Sequence, residues 1–266
     1  MSIVGTQDLK YNGTTLQTNS SASATILTSN ILYNDLPEKT ISLKEDSIRD
    51  GFSVVDVRYS QKIITIDGWL VSDTAANLKT LIDNFKDYLQ PKEKNLDIET
   101  APGSGVYTRW VATTQTIEIP EEFHTITQKP FNVKFLCQPF GKATSATTNT
   151  WNNQVASLIA EPITITGTYH ALPTITVHID AETNMTAIRL TNNTTLDWIE
   201  VARSFSAGED LIIDCENETV RVGGVNVDFD GVFTRFDAGV NSFDLLVTDS
   251  GAKQYDLLIS YYASYL

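Results

Sequence analysis

Alternation of apolar and polar residues is the feature that most constrains the fold of this chain. It runs through residues 62–70, 131–137, 163–166, 174–179, 243–247 and 255–262. Successive side chains of a strand point to opposite faces of a sheet, so a period of two predicts half-buried strands. The abundant Thr and Ser suit antiparallel sheets with one face in water. The pattern therefore predicts a mainly β fold.

Residues 73–90 depart from this pattern and predict an α-helix. Its apolar residues recur at the helical spacing i, i+3, i+4, i+7 and are Leu78, Leu81, Ile82, Phe85 and Leu89. Ser72 or Asp73 is expected to cap the first turn, and Pro91 cannot continue the helix. A helix packed on its own sheet is favoured over one that binds a partner.

The polar segment 141–153, rich in Thr, Ser and Asn, predicts a linker or arm between two domains. The first domain is predicted at residues 1–140 and is mainly β with the helix. A linker follows at 141–160, and residues 161–266 are predicted as a β-sandwich or jelly roll. Within it, Gly223 and Gly224 predict a two-residue hairpin turn, in which both residues need positive φ.

The formal net charge of −14 over 266 residues argues against nucleic-acid binding as a main role. Phosphate contacts need clustered Lys and Arg, and the sequence contains no basic run. The acidity has two explanations: it keeps the protein soluble, or it forms an acidic surface past which DNA moves without binding, because like charges repel. No apolar run reaches the length of a membrane span and the N-terminal residues do not have the pattern of a signal peptide, so we expect synthesis in the cytoplasm and no membrane insertion.

The two cysteines are expected to be buried free thiols rather than a disulfide or a reactive site. Cys137 continues the apolar face of Phe131, Val133 and Phe135, and Cys215 continues that of a second predicted strand. On such faces cysteine acts as a small apolar residue.

One segment has the spacing of a calcium loop: Asn226, Asp228, Asp230, Gly231 and Asp237. Alternating carboxylates around a glycine bend are ligands that Ca²⁺ prefers. The absence of flanking helices, the Asn at the first position and the short Asp at the last count against metal binding. The alternative is the solvent face of a strand and its turn.

No motif predicts catalysis, and we expect no catalytic residue, cofactor or metal. A glycoside hydrolase needs a pair of carboxylates at a defined separation, and nothing in the sequence indicates which residues would form such a pair. The candidates are Asp210, Asp214, Glu216, Glu218 and Asp244. The three histidines lack metal spacing, and they are His124, His170 and His178. His178 is interpreted as a surface residue.

Exposed aromatic side chains would allow the second domain to stack on sugars. The candidates are Trp198, Tyr261, Tyr262 and Tyr265. The alternative places Trp198 in the core and uses the C-terminal tyrosines to close the sandwich. A carbohydrate-binding module or adhesin therefore stands as the main rival function, with a glycoside hydrolase third.

The C-terminal pattern resembles that of siphophage distal tail proteins, the phage tail-tip or baseplate hub family. A GEDLIID strand, a Gly-Gly hairpin, a GVFTRFDAGVN corner and a closing strand pair carry the resemblance within residues 205–266. In the first half, the KIITIDGWL strand, the helix and the PFNVKFLCQPFG strand are similar to that family's "belt" domain. The segment beginning at Pro162 resembles the start of its galectin-like β-sandwich.

The resemblance implies a structural virion protein at the distal end of a phage tail. Belt domains would join into a hexameric ring that links the tail tube protein to the tail-tip or baseplate proteins, and DNA would pass through its lumen. The second domains would hold receptor-binding proteins. No residue-level partner site is implied, and no enzyme activity is expected.

Overall fold

The computed structural model describes residues 8–16, 24–33, 35–45, 52–101, 103–121, 126–180, 185–249 and 253–266. The chain divides into two compact units, residues 1–144 with Leu266 and residues 145–265. Strands and one α-helix make up the regular structure of the described residues, which confirms the mainly β fold class.

The first unit is built on a large antiparallel sheet. Its strands and helix are β1 (Leu9–Tyr11), β2 (Thr14–Thr15), β3 (Ala24–Leu32), β4 (Lys39–Glu45), β5 (Phe52–Tyr59), β6 (Lys62–Ser72), α1 (Ala75–Leu89), β7 (Lys94–Glu99), β8 (Tyr107–Glu118), β9 (Gln128–Cys137) and β10 (Gly141–Ala143). Seven strands lie in the order β2-β1-β7-β8-β9-β6-β3, β10 pairs with β8, and β4 and β5 form a separate two-stranded sheet. The long edge strand β3 therefore ends the large sheet on one side.

Helix α1 confirms the sequence prediction, but its cap is different. The hydroxyl of Thr74 accepts a hydrogen bond from the backbone N–H of Asn77 at 3.2 Å, and Thr74 has the extended backbone of an N-cap. The prediction of Ser72 or Asp73 was wrong by one or two residues, because β6 runs through Ser72 and helical geometry starts only at Ala75. The carboxylate of Asp73 accepts instead from the side-chain amide of Asn77 at 2.8 Å.

The helix packs on the sheet at a point where the strand has no side chain. Phe85 of α1 and Phe131 of β9 have ring centroids 4.7 Å apart. A Cβ on Gly68 of β6 would lie 2.4 Å from the backbone oxygen of Leu27 and 2.5 Å from Phe131. Only glycine therefore lets the Phe131 ring sit against the sheet. No helix in the described part of the chain is long and apolar enough to span a bilayer.

The second unit consists of two antiparallel sheets around one core. Its strands are β11 (Thr147–Gln154), β12 (Leu158–Ile165), β13 (Thr174–Ile179), β14 (Met185–Asn192), β15 (Trp198–Ala202), β16 (Asp210–Asp214), β17 (Thr219–Val222), β18 (Val225–Asn226), β19 (Asp230–Gly231), β20 (Gly239–Asp249), β21 (Tyr255–Tyr261) and β22 (Ser264–Tyr265). The sheet orders are β11-β21-β13-β16-β17-β18 and β12-β20-β14-β15-β19. Buried side chains from both sheets form a single cluster, as in a β-sandwich.

The structure places strands where the sequence predicted a linker. Residues 147–154 form β11, which pairs with β21, and β12 begins at Leu158 and pairs with β20. Both are edge strands, and most side chains of β11 are exposed. Most side chains of this strand are Thr and Asn, and only Trp151 packs against the core, so the apolar alternation that reveals a strand in sequence is missing and the composition resembled that of a linker.

The hairpin turn predicted at Gly223 and Gly224 is confirmed. The two residues have φ of +56° and +82° and join β17 to β18. Such values lie in the left-handed region, which glycine adopts without steric cost.

Candidate interaction surfaces

The hairpin of β4 and β5 presents an apolar stripe to solvent. Ile41 and Val57 are cross-strand partners. The exposed fraction is 52% for Ile41, 45% for Val57 and 54% for Leu43. Thr40 and Ser42 alternate with them and give the opposite face its polar side chains. A lone two-stranded hairpin is marginally stable in water. Contiguous exposed apolar side chains are typical of interaction surfaces, which makes this stripe a candidate for one.

The base of this hairpin is attached to the rest of the first unit through Tyr59. Its ring meets that of Phe140 with centroids 5.4 Å apart and nearly perpendicular planes. The ammonium of Lys39, the cross-strand partner of Tyr59, lies 5.2 Å from the Tyr59 ring centroid. Sequence reasoning did not single out this hairpin. The signal was available in the alternation of Thr40, Ile41, Ser42 and Leu43.

Two open clefts lie in the first unit. One, of about 280 Å³, is lined by Trp69, Pro130 and Asn132 among others, and the amide of Asn132 donates to the Asp67 carboxylate at 2.6 Å. The other, of about 470 Å³, borders Tyr59 and Cys137. Neither contains a residue that the sequence proposed for metal binding, sugar stacking or hydrolysis.

The candidate sugar-stacking residues have different environments. The guanidinium carbon of Arg189 lies 4.2 Å from the Trp198 ring centroid and covers one face of that ring. Tyr261 is buried, and its hydroxyl donates to the carbonyl of Thr164 at 3.0 Å. Tyr265 is half-buried, while Tyr262 is exposed. The four rings therefore do not form a common stacking platform.

The residues with calcium-loop spacing are separated in the structure. Asn226 lies on β18 at the edge of one sheet, and its side-chain oxygen accepts from Arg221 Nε at 3.2 Å. Asp230 and Gly231 form β19 at the edge of the other sheet. Throughout the described ranges, no group of three or more His, Cys, Asp or Glu is arranged to hold a metal ion.

Two of the carboxylates considered for hydrolysis, Asp214 and Asp244, accept hydrogen bonds from their surroundings. Asp214 accepts from the backbone N–H groups of Glu216 and Asn217 and from the Asn217 side-chain amide. Burial opposes ionisation of this carboxyl, but the hydrogen bonds from the Asn217 amide and from the two N–H groups outweigh it and lower the pKa. Asp244 accepts from Ala160 N–H at 2.7 Å and from the Asn193 amide at 2.8 Å. Asp214 thus fixes the turn after β16, and Asp244 joins β12 to the residues that follow β14.

His178 is partly exposed, as expected, but it lies among three aspartates. Its Nδ1 is 2.6 Å from Asp210 Oδ1, and its Nε2 is 3.7 Å from Asp180 Oδ1. The hydrogen bond to Asp210, with further attraction from Asp180 and Asp256, raises the pKa of His178 above its ordinary value. Sequence reasoning missed this cluster because Asp210 and Asp256 belong to neighbouring strands of the sheet. His124 lies outside the described residues.

Both cysteines are buried free thiols, which confirms the sequence prediction. Burial raises the pKa of Cys137 to about 12 and the pKa of Cys215 to about 12. A thiol with so high a pKa forms almost no thiolate at neutral pH and is a poor nucleophile.

The second unit also matches a known protein family. Residues 166–265 match the family model described as siphovirus-type tail component, C-terminal domain. The resemblance of the chain to distal tail proteins is thereby confirmed. No curated protein matches the sequence.

Solved structures extend the likeness to the full chain. The crystal structure of SPP1 Dit, described as a paradigm of the hub adsorption apparatus in phages that infect Gram-positive bacteria, superposes with a TM-score of 0.71. The alignment covers 98% of this chain and 100% of SPP1 Dit at 13% identity, so it establishes a common fold. Two chains from phage p2 baseplates in the activated conformation, with Ca and with Sr, align at 8% identity over 96% of this chain. The alignments cover 97% and 98% of those two chains, and their TM-scores of 0.42 and 0.43 are too low to establish a common fold.

Proposed function

We propose that this chain is the distal tail hub of a long, flexible-tailed phage. In this role it forms a hexameric ring that joins the tail tube to the tail-tip or baseplate proteins. Residues 1–140 act as the ring-forming belt domain, and the second unit projects outward and holds receptor-binding or other baseplate proteins. The observation that carries the proposal is the tail-component domain at residues 166–265 within a chain that shares its fold with SPP1 Dit.

The apolar hairpin of β4 and β5 supports ring formation. Ile41, Leu43 and Val57 leave about half of their surface in water. Exposed apolar stripes of this kind are costly in a protein that stays monomeric. A neighbouring subunit that received the hairpin would cover the stripe. The contact is heterologous, and such contacts close into a ring when the rotation between subunits permits it.

The edge of the large sheet supports the same proposal. Strand β3 is nine residues long and ends the described strand order, and Leu32 at its end is 52% exposed. Long edge strands are templates for pairing with other chains, and proteins usually cover them. Pairing between subunits in a ring would cover this edge.

The charge of the chain supports a lumen through which DNA passes. A net charge of −14 repels phosphate, so a ring of such subunits would let DNA pass without binding it. The chain would act at the distal end of the tail after synthesis in the host cytoplasm.

The test is the solution mass of the purified full chain, measured by light scattering at several concentrations, with negative-stain images of the same sample. The expected result is a mass of six 29.4 kDa subunits and images of closed rings with a central hole. A monomer that stays monomeric when tail tube and tail-tip proteins are added would contradict the hub function.

A further inference from the structure

Four of the described strands end the two sheets of the second unit, and three of them are protected against pairing with another chain. Strands β18 and β19 are only two residues long. Strand β12 carries Glu161 and Pro162, and its register shifts before Glu161. The carboxylate of Asp244 also accepts from the N–H of Ala160 in this strand at 2.7 Å. Short length, charge, proline and irregular pairing keep edge strands from recruiting other strands, and the fourth edge strand, β11, has none of these features along residues 147–151.

The outer edge of β11 is open over these five residues. Thr147–Trp151 pair in regular antiparallel register with β21 on one side. Alternate residues of an edge strand direct N–H and C=O groups away from the sheet, and no described residue bonds to those groups of Thr147–Trp151. Beyond the register shift, side chains occupy backbone groups: the Gln154 amide donates to the carbonyl of Asn152 at 2.7 Å. The N–H of Asn153 donates to the carboxylate of Asp256 at 2.6 Å. The open edge is thus confined to residues 147–151.

A polar side chain faces the interior of the sandwich at this edge. Asn149 is the cross-strand partner of Ile259, and Trp151 is that of Leu257. Both partners are buried, so Asn149 and Trp151 point between the two sheets, and Trp151 meets the Phe243 ring edge-on with centroids 5.2 Å apart. The side-chain nitrogen of Asn149 is buried and has no acceptor among the described residues. A buried donor without an acceptor costs about 1–3 kcal/mol, so an acceptor that another chain brings to this position stabilises the complex.

Hydrogen-bond complementarity specifies an extended peptide segment as the occupant of this edge. Backbone N–H and C=O groups at strand spacing are matched by the same groups of a strand that pairs alongside. Side chains on one face of that strand recur every second residue. The occupant therefore needs a side-chain acceptor beside Asn149 and, two positions away, an apolar residue beside Trp151. Strand β11 itself carries no charge, so main-chain pairing rather than ion pairing provides the affinity.

We propose that residues 147–151 are the docking site for an extended segment of another tail protein, which adds a strand to the sheet next to β11. This inference rests on the proposed hub function and names one place where the second unit holds a partner. Self-pairing of two β11 strands about a two-fold axis joins two copies of the chain and then closes. The proposed ring is built from heterologous contacts, so each of its subunits keeps its β11 edge for a different protein.

The first test measures amide hydrogen exchange in the full chain, both purified and within assembled tails. The outward N–H groups of residues 147–151 are expected to exchange at least about 100-fold more slowly in tails, because main-chain pairing blocks exchange. Residues 158–165 of β12, the protected edge, are the control and are expected to exchange equally in both samples.

Two outcomes of this test would overturn the docking site. Equal exchange of residues 147–151 in the two samples would show that no strand pairs there. Slow exchange already in the purified chain would show that a second copy of the chain is the occupant. Absence of the chain from tails would instead overturn the hub function itself.

The second test blocks the edge with the variant Asn149→Lys. In the free chain the lysine stem lies along the open edge and its ammonium reaches water, so the melting temperature is expected to stay close to that of the parent. A docked strand would bury that ammonium, so exchange of residues 147–151 in tails is expected to rise to the rate of the purified chain. The control Thr164→Lys places the same charge on an exposed residue of β12 and is expected to keep the slow exchange. Slow exchange in tails of folded Asn149→Lys would contradict the proposal.

The third test identifies the partner by its chemistry. A photo-crosslinking phenylalanine derivative replaces Thr148, which is exposed on β11, or Thr164 as the control, in the full chain within assembled tails. The expected product is a cross-link from position 148 to another tail protein. The cross-linked peptide is expected to lack proline and to have an apolar residue two positions from a side chain that accepts hydrogen bonds. A cross-link from position 148 to this chain itself, or the same product from both positions, would overturn the docking site while leaving ring formation intact.

Discussion

Replacing Ile41 by Lys is expected to weaken ring formation without unfolding the subunit. Ile41 lies on the hairpin of β4 and β5, where its side chain is 52% exposed and contacts solvent on the apolar stripe. The substitution keeps a long side chain at an exposed strand position, and such surface changes usually alter stability by less than about 0.5 kcal/mol.

The size of the effect on assembly follows from the surface that remains to be covered. Full burial of an Ile, Leu or Val side chain contributes about 1.5–3 kcal/mol. Ile41, Leu43 and Val57 are each about half exposed, so covering the stripe contributes roughly 3 kcal/mol per subunit contact. Lysine at position 41 removes about one third of this and adds the cost of dehydrating an ammonium group. We therefore expect a loss of about 2 kcal/mol, or about 30-fold in affinity, at each contact.

The assay is light scattering of the parent chain and the variant across a dilution series, with the thermal unfolding of each sample as a check of folding. The dissociation midpoint of Ile41→Lys is expected at a subunit concentration at least about 30-fold higher than that of the parent. The control Val155→Lys places the same charge on a similarly exposed valine of the second unit, and its midpoint is expected to be unchanged.

One result would refute the reasoning about the hairpin. If folded Ile41→Lys dissociates at the same concentration as the parent and as Val155→Lys, then no subunit covers the stripe. Ring formation would in that case depend on other contacts, such as the edge strand β3.

Three further predictions concern stability and reactivity. Gly68→Ala is expected to lower the free energy of unfolding by about 3 kcal/mol in denaturant titrations, because its Cβ would lie 2.4 Å from a backbone oxygen. The control Gly13→Ala has open space around it and a φ of +78°, so it is expected to lower the free energy of unfolding by about 1 kcal/mol. Equal losses for the two variants would contradict the packing argument. Because folding raises the pKa of His178, its contribution to stability is present below the ordinary His pKa of about 6.5 and is lost as pH rises through the raised folded value. The melting temperature of His178→Gln should accordingly fall below that of the parent at pH 5.5 and approach it at pH 8.5, and a difference that does not depend on pH would contradict this. Cys137 is expected to react with a thiol reagent at neutral pH only as fast as the chain unfolds, so rapid labelling of the native protein would contradict its burial and its pKa of about 12.

Alternation predicted most of the buried strands because their two faces differ in polarity. Strand β13 was predicted with the bounds that the structure has, and β6, β9 and β21 were predicted nearly so. Helix α1 was predicted from its apolar stripe. These elements lie against a core on one side, and the core imposes the period that the sequence displays.

Two of the elements that the sequence analysis did not predict are mostly exposed in the described part of the chain. Strand β11 is mostly exposed and resembled a linker, and the hairpin of β4 and β5 carries its apolar stripe toward solvent. Contacts between strands that are distant in the sequence could not be predicted from it either. Asp210 and Asp256 approach His178 through strand pairing, so the environment of His178 does not follow from local spacing.

The measurement that tests the central claim most directly is the position of this chain on intact virions. Antibody raised against the purified chain, visualised by gold labelling in electron micrographs, is expected to bind at the distal end of the tail, between the tube and the tip. Label on the capsid or spread along the tail tube, or virions that carry none of the chain, would contradict the assignment as the distal tail hub.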